Sequence, residues 1–338
     1  MSGWGASRCF AKTSNAIRTA IVLWLAACGG TLDAGKDGPH GKLPVDGRNP
    51  TILVGDGFID NWQGEYALLY AATGQLSLAG IVMEEGPNWK SIDELTTGWQ
   101  QMAEAAKQAK MKNVPELVPS SPWTKLVRPA DGKIESTKGT VTAGAQFMVK
   151  QSKALARSYR PVVLLTGAHM TDVANAYLLD PTIVERVVVV AALGSVTSTG
   201  GLMGVANGEM DPWADVIVAS KFKYVQVSTY YDPMSDVPAS LLGQLPVNPF
   251  TTWVKNKQPK VWDDLDAADQ NAVSALVLPK FVTETRQVAM LQIPAANVVP
   301  TLTDDKLGPI QLVTQVAGAI ATSTLVDMLM DPPTYGGK

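Results

Sequence analysis

The sequence predicts an α/β fold, an open and mostly parallel doubly wound sheet in a single domain. Short β-branched runs alternate with helix-period stretches from residue 51 onward, the βαβ pattern of a parallel sheet. The strand candidates are mostly apolar runs, as a sheet covered on both faces requires. A chain of 338 residues, 46% hydrophobic and 17% charged, can also bury a large core.

In chain order, a strand over Thr51–Val54 leads to a helix near Glu65–Thr73, a strand over Leu78–Val82 and a helix from Ser91 to about Lys110. Strands follow at Pro161–Leu165, Val187–Ala191 and Tyr224–Val227, with helices over Thr142–Arg157, Thr171–Leu179 and Asp211–Ser220 between them. No internal repeat and no second domain stands out. In this architecture ligands bind at the carboxyl ends of the strands.

Ahead of residue 51 the sequence reads as address and tether. Arg8, Lys12 and Arg18 precede an apolar run from Ala20 to Ala27, which is too short to span a bilayer and suits a signal peptide over residues 1–27. That run closes on Leu25-Ala26-Ala27-Cys28, which resembles a bacterial lipobox, so Cys28 is the expected lipidation site. Gly29 gives no inner-membrane retention signal, so the expected location is the cell envelope, at the outer membrane. Residues 28–50, rich in Gly, Asp, Lys and Pro, are expected to be a flexible tether, with the domain over 51–338. The membrane is then an anchor and not a substrate.

Several classes are excluded. A net charge of −3 without a basic stripe argues against nucleic acid. Cys9 and Cys28 are the only cysteines, which leaves the mature domain no thiol for a disulfide, a metal or catalysis. Gly30 to Lys36 has P-loop spacing, but Asp37 replaces the required Ser or Thr and no strand precedes it. No periodic apolar face marks an interface, and the sequence leaves the oligomeric state open.

The first strand runs into Gly55-Asp56-Gly57-Phe58-Ile59-Asp60-Asn61, which gathers two carboxylates and an amide at its carboxyl end. Oxygen donors of this kind suit a hard cation such as calcium. A dinucleotide loop fits less well, because Asp60 stands where a third glycine is wanted and would repel a pyrophosphate. A plain strand-to-helix turn with Asp60 or Asn61 as N-cap is the remaining alternative for this segment by itself.

The segment resembles the nucleoside hydrolase signature Asp-x-Asp-Pro-Gly-x-Asp-Asp, with Asp56, Asp60 and Asn61 on its second, third and last acidic positions. Four further pieces follow in order: Leu78 to Asn88, Pro161 to Ala174 with Leu179-Asp180-Pro181, Asn207 to Pro212, and Ala268 to Pro279. Together they span most of residues 51 to 290. The resemblance implies a calcium-dependent N-ribosyl hydrolase that cleaves a nucleoside, or a related N-glycoside, into base and sugar. It implies that Asp56 is the general base, that Asp56, Asn61, Asp269 and the carbonyl of Thr171 hold Ca2+, and that Asp60, Asn88 and Asn207 bind the ribose.

Departures from the family pattern weigh the other way. Val54 replaces the first Asp of the signature, Asn61 a carboxylate ligand, Val205 a ribose-binding Glu, and Ala268 the His beside Asp269. These losses favour the alternative, a ligand-binding or structural lipoprotein on the same fold. His169, just before Thr171, is near enough to the expected site to protonate a leaving base, or it is a hydrogen-bonded loop residue. Trp62 and Trp89 flank the motifs, with core packing as their default role, and Tyr230-Tyr231-Asp232 closes another strand with no fixed role.

Overall fold

A computed structural model describes residues 42–57, 62–87, 90–197, 200–202, 207–228, 237, 239–257, 269–292 and 300–335. The chain opens with β1 (Thr51–Gly55), α1 (Gln63–Ala72), β2 (Leu78–Met83), α2 (Ile92–Gln108) and β3 (Leu117–Pro119). Next come α3 (Ala143–Leu155), β4 (Val162–Thr166), α4 (Thr171–Leu179) and β5 (Val187–Ala192). Short strands β6 (Ser195–Thr197) and β7 (Gly200–Leu202) precede α5 (Asn207–Met210), α6 (Pro212–Lys221) and β8 (Lys223–Val227). The remainder comprises α7 (Ala239–Gln244), α8 (Pro249–Lys257), α9 (Gln270–Val277), β9 (Val282–Gln292), β10 (Thr301–Asp304), β11 (Ile310–Val316) and α10 (Gly318–Met330).

Among the described residues the strands form one sheet in the order β3-β2-β1-β4-β5-β8-β11-β9-β10-β7-β6. From β3 to β11 neighbouring strands pair in parallel. Beyond β11 the pairing turns antiparallel. Side chains of the central strands alternate between two cores. Leu53, Val163, Leu165, Val188 and Val190 enter the one packed with α1, α2 and α9. Ile52, Val54, Val162, Leu164, Val187 and Val189 enter the other, beneath α3, α4 and α6. Burial on both faces explains why these strands read as unbroken apolar runs.

The helices are fixed by local signals. Ser91 and Glu94 form a reciprocal capping box at the head of α2. Thr142 caps α3 by accepting from the Ala145 N–H at 3.0 Å.

The N-terminal approach joins the domain earlier than expected. Residues 42–50, read from sequence as the end of the tether, pack against it: Leu43 and Val45 are buried, and the Asn49 amide donates to the Pro161 carbonyl at 2.8 Å. Two apolar side chains in a Pro- and Gly-rich stretch are enough to dock it. The expected signal peptide, Cys28 and the rest of the tether lie outside the described residues.

Candidate active site

Strand order creates the site. The chain leaves β1 toward β2 on one side and β4 toward β5 on the other, so the switch point, where this architecture binds ligands, lies between the carboxyl ends of β1 and β4. The Gly167 N–H ties the two strand ends together by donating to the Val54 carbonyl at 3.0 Å. A Cβ at Gly167 would fall 2.2 Å from Nε2 of Gln63, so glycine there makes room for the Gln63 amide. That amide is buried, and its Nε2 has no hydrogen-bond partner in the protein.

The described members of the expected site all lie around this edge. Asp56, only 3% exposed, directly follows β1. His169 and Thr171 follow β4, and Thr171 is the first residue of α4. The Asn207 amide donates to the carbonyl of Ala192, the last residue of β5, at 3.3 Å. Asp269 is buried at the head of α9. Tyr70 meets Ser274, and Val277 sits beside the Gly47 backbone near the end of α1, so α9 runs alongside α1 in the same direction. Asp269 is thereby placed at the end of α9 that lies with Gln63, the carboxyl edge of the sheet. Asp60, Asn61, Asn88, Val205 and Ala268 lie outside the described residues, as do Trp89, Tyr230, Tyr231 and Asp232. Trp62 is fully buried with φ of 62°, a core side chain in the left-handed region.

A buried polar network holds the β4–α4 junction. The head of α4 has no side-chain N-cap of its own. Its free N–H groups are met from outside: Asp172 N donates to Glu84 Oε1 at 2.9 Å and Thr171 N to His169 Nδ1 at 3.4 Å. The Thr171 hydroxyl donates to Asp211 at 2.8 Å and accepts from the Trp123 indole N–H at 3.3 Å. Ser120 and Thr142 both donate to the Asp172 carboxylate. Asp211 in turn caps α6 and accepts from the Leu126 N–H at 3.0 Å.

The electrostatics follow from burial. Desolvation, then the charges of Asp172, Asp56 and Asp211, push the Glu84 carboxyl well above the usual carboxylate range, partly opposed by the Asp172 N–H. Burial likewise raises Asp172 and Asp211 against the hydrogen bonds that they accept. Desolvation lowers His169 to about 4, against the hydrogen bond to the Glu85 carbonyl. Since that carbonyl can only accept, Nε2 carries the ring proton, at 2.9 Å, and Nδ1 is the acceptor for Thr171. The 3.4 Å approach of Glu84 to Nδ1 is therefore not an ion pair at neutral pH. His169 is neutral and engaged at both nitrogens, which is the loop role weighed for it in the sequence.

Sequence reasoning missed Glu84, Ser120, Trp123 and Asp172. Their signals were present but weak: an acidic pair directly after an apolar strand, and a polar turn after the three-residue β3. Asp172 lay inside a matched motif yet looked like filler, because its partners come from residues 52 and 30 positions away.

No family model matches the sequence, and no curated protein matches it. Solved structures do match. The inosine-guanosine nucleoside hydrolase aligns with a TM-score of 0.59 at 14% identity, over 83% of this chain and 98% of that one. The chain has the nucleoside hydrolase fold. The purine-preferring ribonucleoside hydrolase from Gardnerella vaginalis aligns at 0.57 and 16% identity over 84% and 98% of the two chains. The type III effector protein XopQ, solved with adenosine diphosphate ribose, aligns at 0.55 and 12% identity over 96% and 99%.

Proposed function

We propose that the chain is a divergent nucleoside hydrolase, an exported lipoprotein anchored through Cys28 that splits a nucleoside or related N-glycoside into base and sugar. What supports this reading is that Asp56, Thr171, Asn207 and Asp269 each lie at the carboxyl edge of the sheet, the edge at which this architecture binds ligands.

The donor chemistry fits calcium. The expected ligands offer only oxygen, the donor that a hard cation takes. The sequence resemblance gives Asp56, Asn61, Asp269 and the Thr171 carbonyl as the ligand set; among the described residues no three His, Cys, Asp or Glu side chains converge to hold an ion by themselves. Calcium bound there would supply Lewis-acid activation of the attacking water.

Asp56 takes the proton of the attacking water as the bond between the anomeric carbon and the base breaks. Asn207, tied to the end of β5, presents its remaining amide valences to the sugar, with Asp60 and Asn88 as partners. The ring of His169, held neutral, positions Thr171 and does not itself protonate the base.

Release of reducing sugar from inosine and uridine in the presence of calcium tests this, with Asp56→Asn expected to lower the rate at least a hundredfold. A specific observation favours a second reading. Val54, at the position of the first signature Asp, is fully buried in the core beneath α3 and α4. That position cannot be a ligand here, so a ligand-binding lipoprotein without catalysis is the reading left if no nucleoside is cleaved.

A further inference from the structure

A single imidazole links the turns on either side of the strand that delivers Asp56. In the sheet β1 lies between β2 and β4, so the turns that leave β2 and β4 are two strand spacings apart, roughly 10 Å. His169, just beyond β4, closes that gap: its Nε2–H donates to the carbonyl of Glu85, just beyond β2, at 2.9 Å. We propose that His169 is a positioning residue that holds the β2–α2 turn against the head of α4, so that the sugar side and the calcium side of the site form one rigid unit. The inference rests on the hydrolase reading for what the two sides bind, and on the hydrogen bonds alone for the tie.

Both ends of the tie are fixed. On the α4 side the ring is 1% exposed and lies edge-on to the Trp123 indole, at 5.9 Å between ring centres. Thr171 donates its N–H to Nδ1 at 3.4 Å, which closes the turn that carries both residues, and its hydroxyl is held by Asp211 and Trp123. On the α2 side Glu85 is the clasp. Its carbonyl receives the imidazole, while its carboxylate accepts from the N–H of Ile92, the first residue of α2, at 3.0 Å. One residue thereby pins both ends of the turn, and the capping box of Ser91 and Glu94 secures the far end again. Asn88, the sugar ligand that the sequence resemblance implies, lies between Glu85 and Ile92 in the sequence.

A neutral imidazole suits this task, because it is rigid and offers an acceptor at one nitrogen and a donor at the other. The tie has a thermodynamic consequence. Ordering the unit costs conformational entropy, the first ligand bears most of that cost, and the second binds more tightly for it.

The test compares the full-length wild type with His169→Phe, which keeps a buried ring and removes both hydrogen bonds, and with Glu85→Ala and Glu85→Gln. The first readout, without ligand, is hydrogen exchange at the Ile92 amide. It is expected to quicken roughly tenfold or more in His169→Phe, although that N–H bonds to Glu85 and not to the ring, while amides between β9 and β11 keep their rates. The second is affinity for formycin B, an inosine isostere whose carbon–carbon bond between sugar and base resists hydrolysis. Calcium is expected to tighten it about fivefold or more in the wild type and in Glu85→Gln, which keeps an acceptor for Ile92, and less than about twofold in His169→Phe and Glu85→Ala. Unchanged Ile92 exchange in His169→Phe overturns the proposal, and so does equal acceleration between β9 and β11, the mark of general loosening. Coupling that survives in His169→Phe, or is missing from a wild type that binds both ligands, overturns it too and leaves the hydrolase reading standing. Failure of the wild type to bind either ligand would refute the hydrolase reading, and Ile92 exchange would still decide the tie. Should His169→Phe not fold, coupling kept in Glu85→Gln and lost in Glu85→Ala is the result expected, and equal coupling in the two overturns the proposal.

Discussion

Gly144→Ala sets two effects of known sign against each other. Gly144 is the second residue of α3, and replacing a helical glycine by alanine ordinarily stabilises by about 1 kcal/mol. Here the added Cβ would lie 2.2 Å from Asp172 Oδ2, 2.7 Å from Val82 Cγ1 and 2.9 Å from Ser120 Oγ. Val82 is fixed in β2 with no exposure, and the Asp172 carboxylate is held by Ser120 and Thr142, so neither neighbour can turn to solvent. Overpacking costs about 1–3 kcal/mol, and a disturbed hydrogen bond to a buried carboxylate about 1.5–3 more. After the helix gain is subtracted, a net loss of about 1.5–5 kcal/mol is expected, read as a lower urea midpoint. Gly243, in α7, is the control: its Cβ would meet nothing within 4 Å, and Gly243→Ala should raise stability by roughly 0.5–1 kcal/mol. A Gly144→Ala protein as stable as the wild type would refute the claim that Asp172 is rigidly held.

Two pH-dependent outcomes follow from buried groups. Asp215 is wholly buried with neither carboxylate oxygen hydrogen-bonded, and burial, then the charge of Asp211, hold its pKa well above 3.8. A raised folded-state pKa penalises the fold as pH climbs above the unfolded value, so Asp215→Asn should raise the urea midpoint at pH 7.5 and leave it unchanged near pH 3.5. For His169, lowered to about 4 against an unfolded value near 6.5, stability is full above 6.5 and falls as pH drops toward 4. Its imidazole resonances should stay in the neutral position at pH 5.5, and a titration midpoint near 6.5 would contradict the buried, doubly engaged ring.

How much of this was legible depends on where the physical signal resides. The central strands announced themselves because they are buried on both faces, and their expected limits shifted by no more than a residue or so, as for Leu78–Val82 against Leu78–Met83. Helix α4 was expected over the residues it occupies, Thr171–Leu179. The antiparallel arm was not foreseen. Its strands β6 and β7 span three residues each, and β9 mixes Thr, Glu, Arg and Gln with its apolar side chains, so neither period nor composition marks them. In the site, Asp56 was readable because it ends a strand inside a motif. Glu84, His169 and Asp172 acquire their character from partners distant in sequence, and a buried network of that kind leaves no periodic trace.

The most direct test of the central claim is calorimetry on the signal-free chain and its Asp56→Asn variant, titrated with calcium and then with inosine. Calcium binding that Asp56→Asn abolishes or greatly weakens is expected, followed in the wild type by the sustained heat of nucleoside turnover. No calcium binding and no turnover in either protein would contradict it, and would leave the nucleoside hydrolase fold serving a role other than hydrolysis.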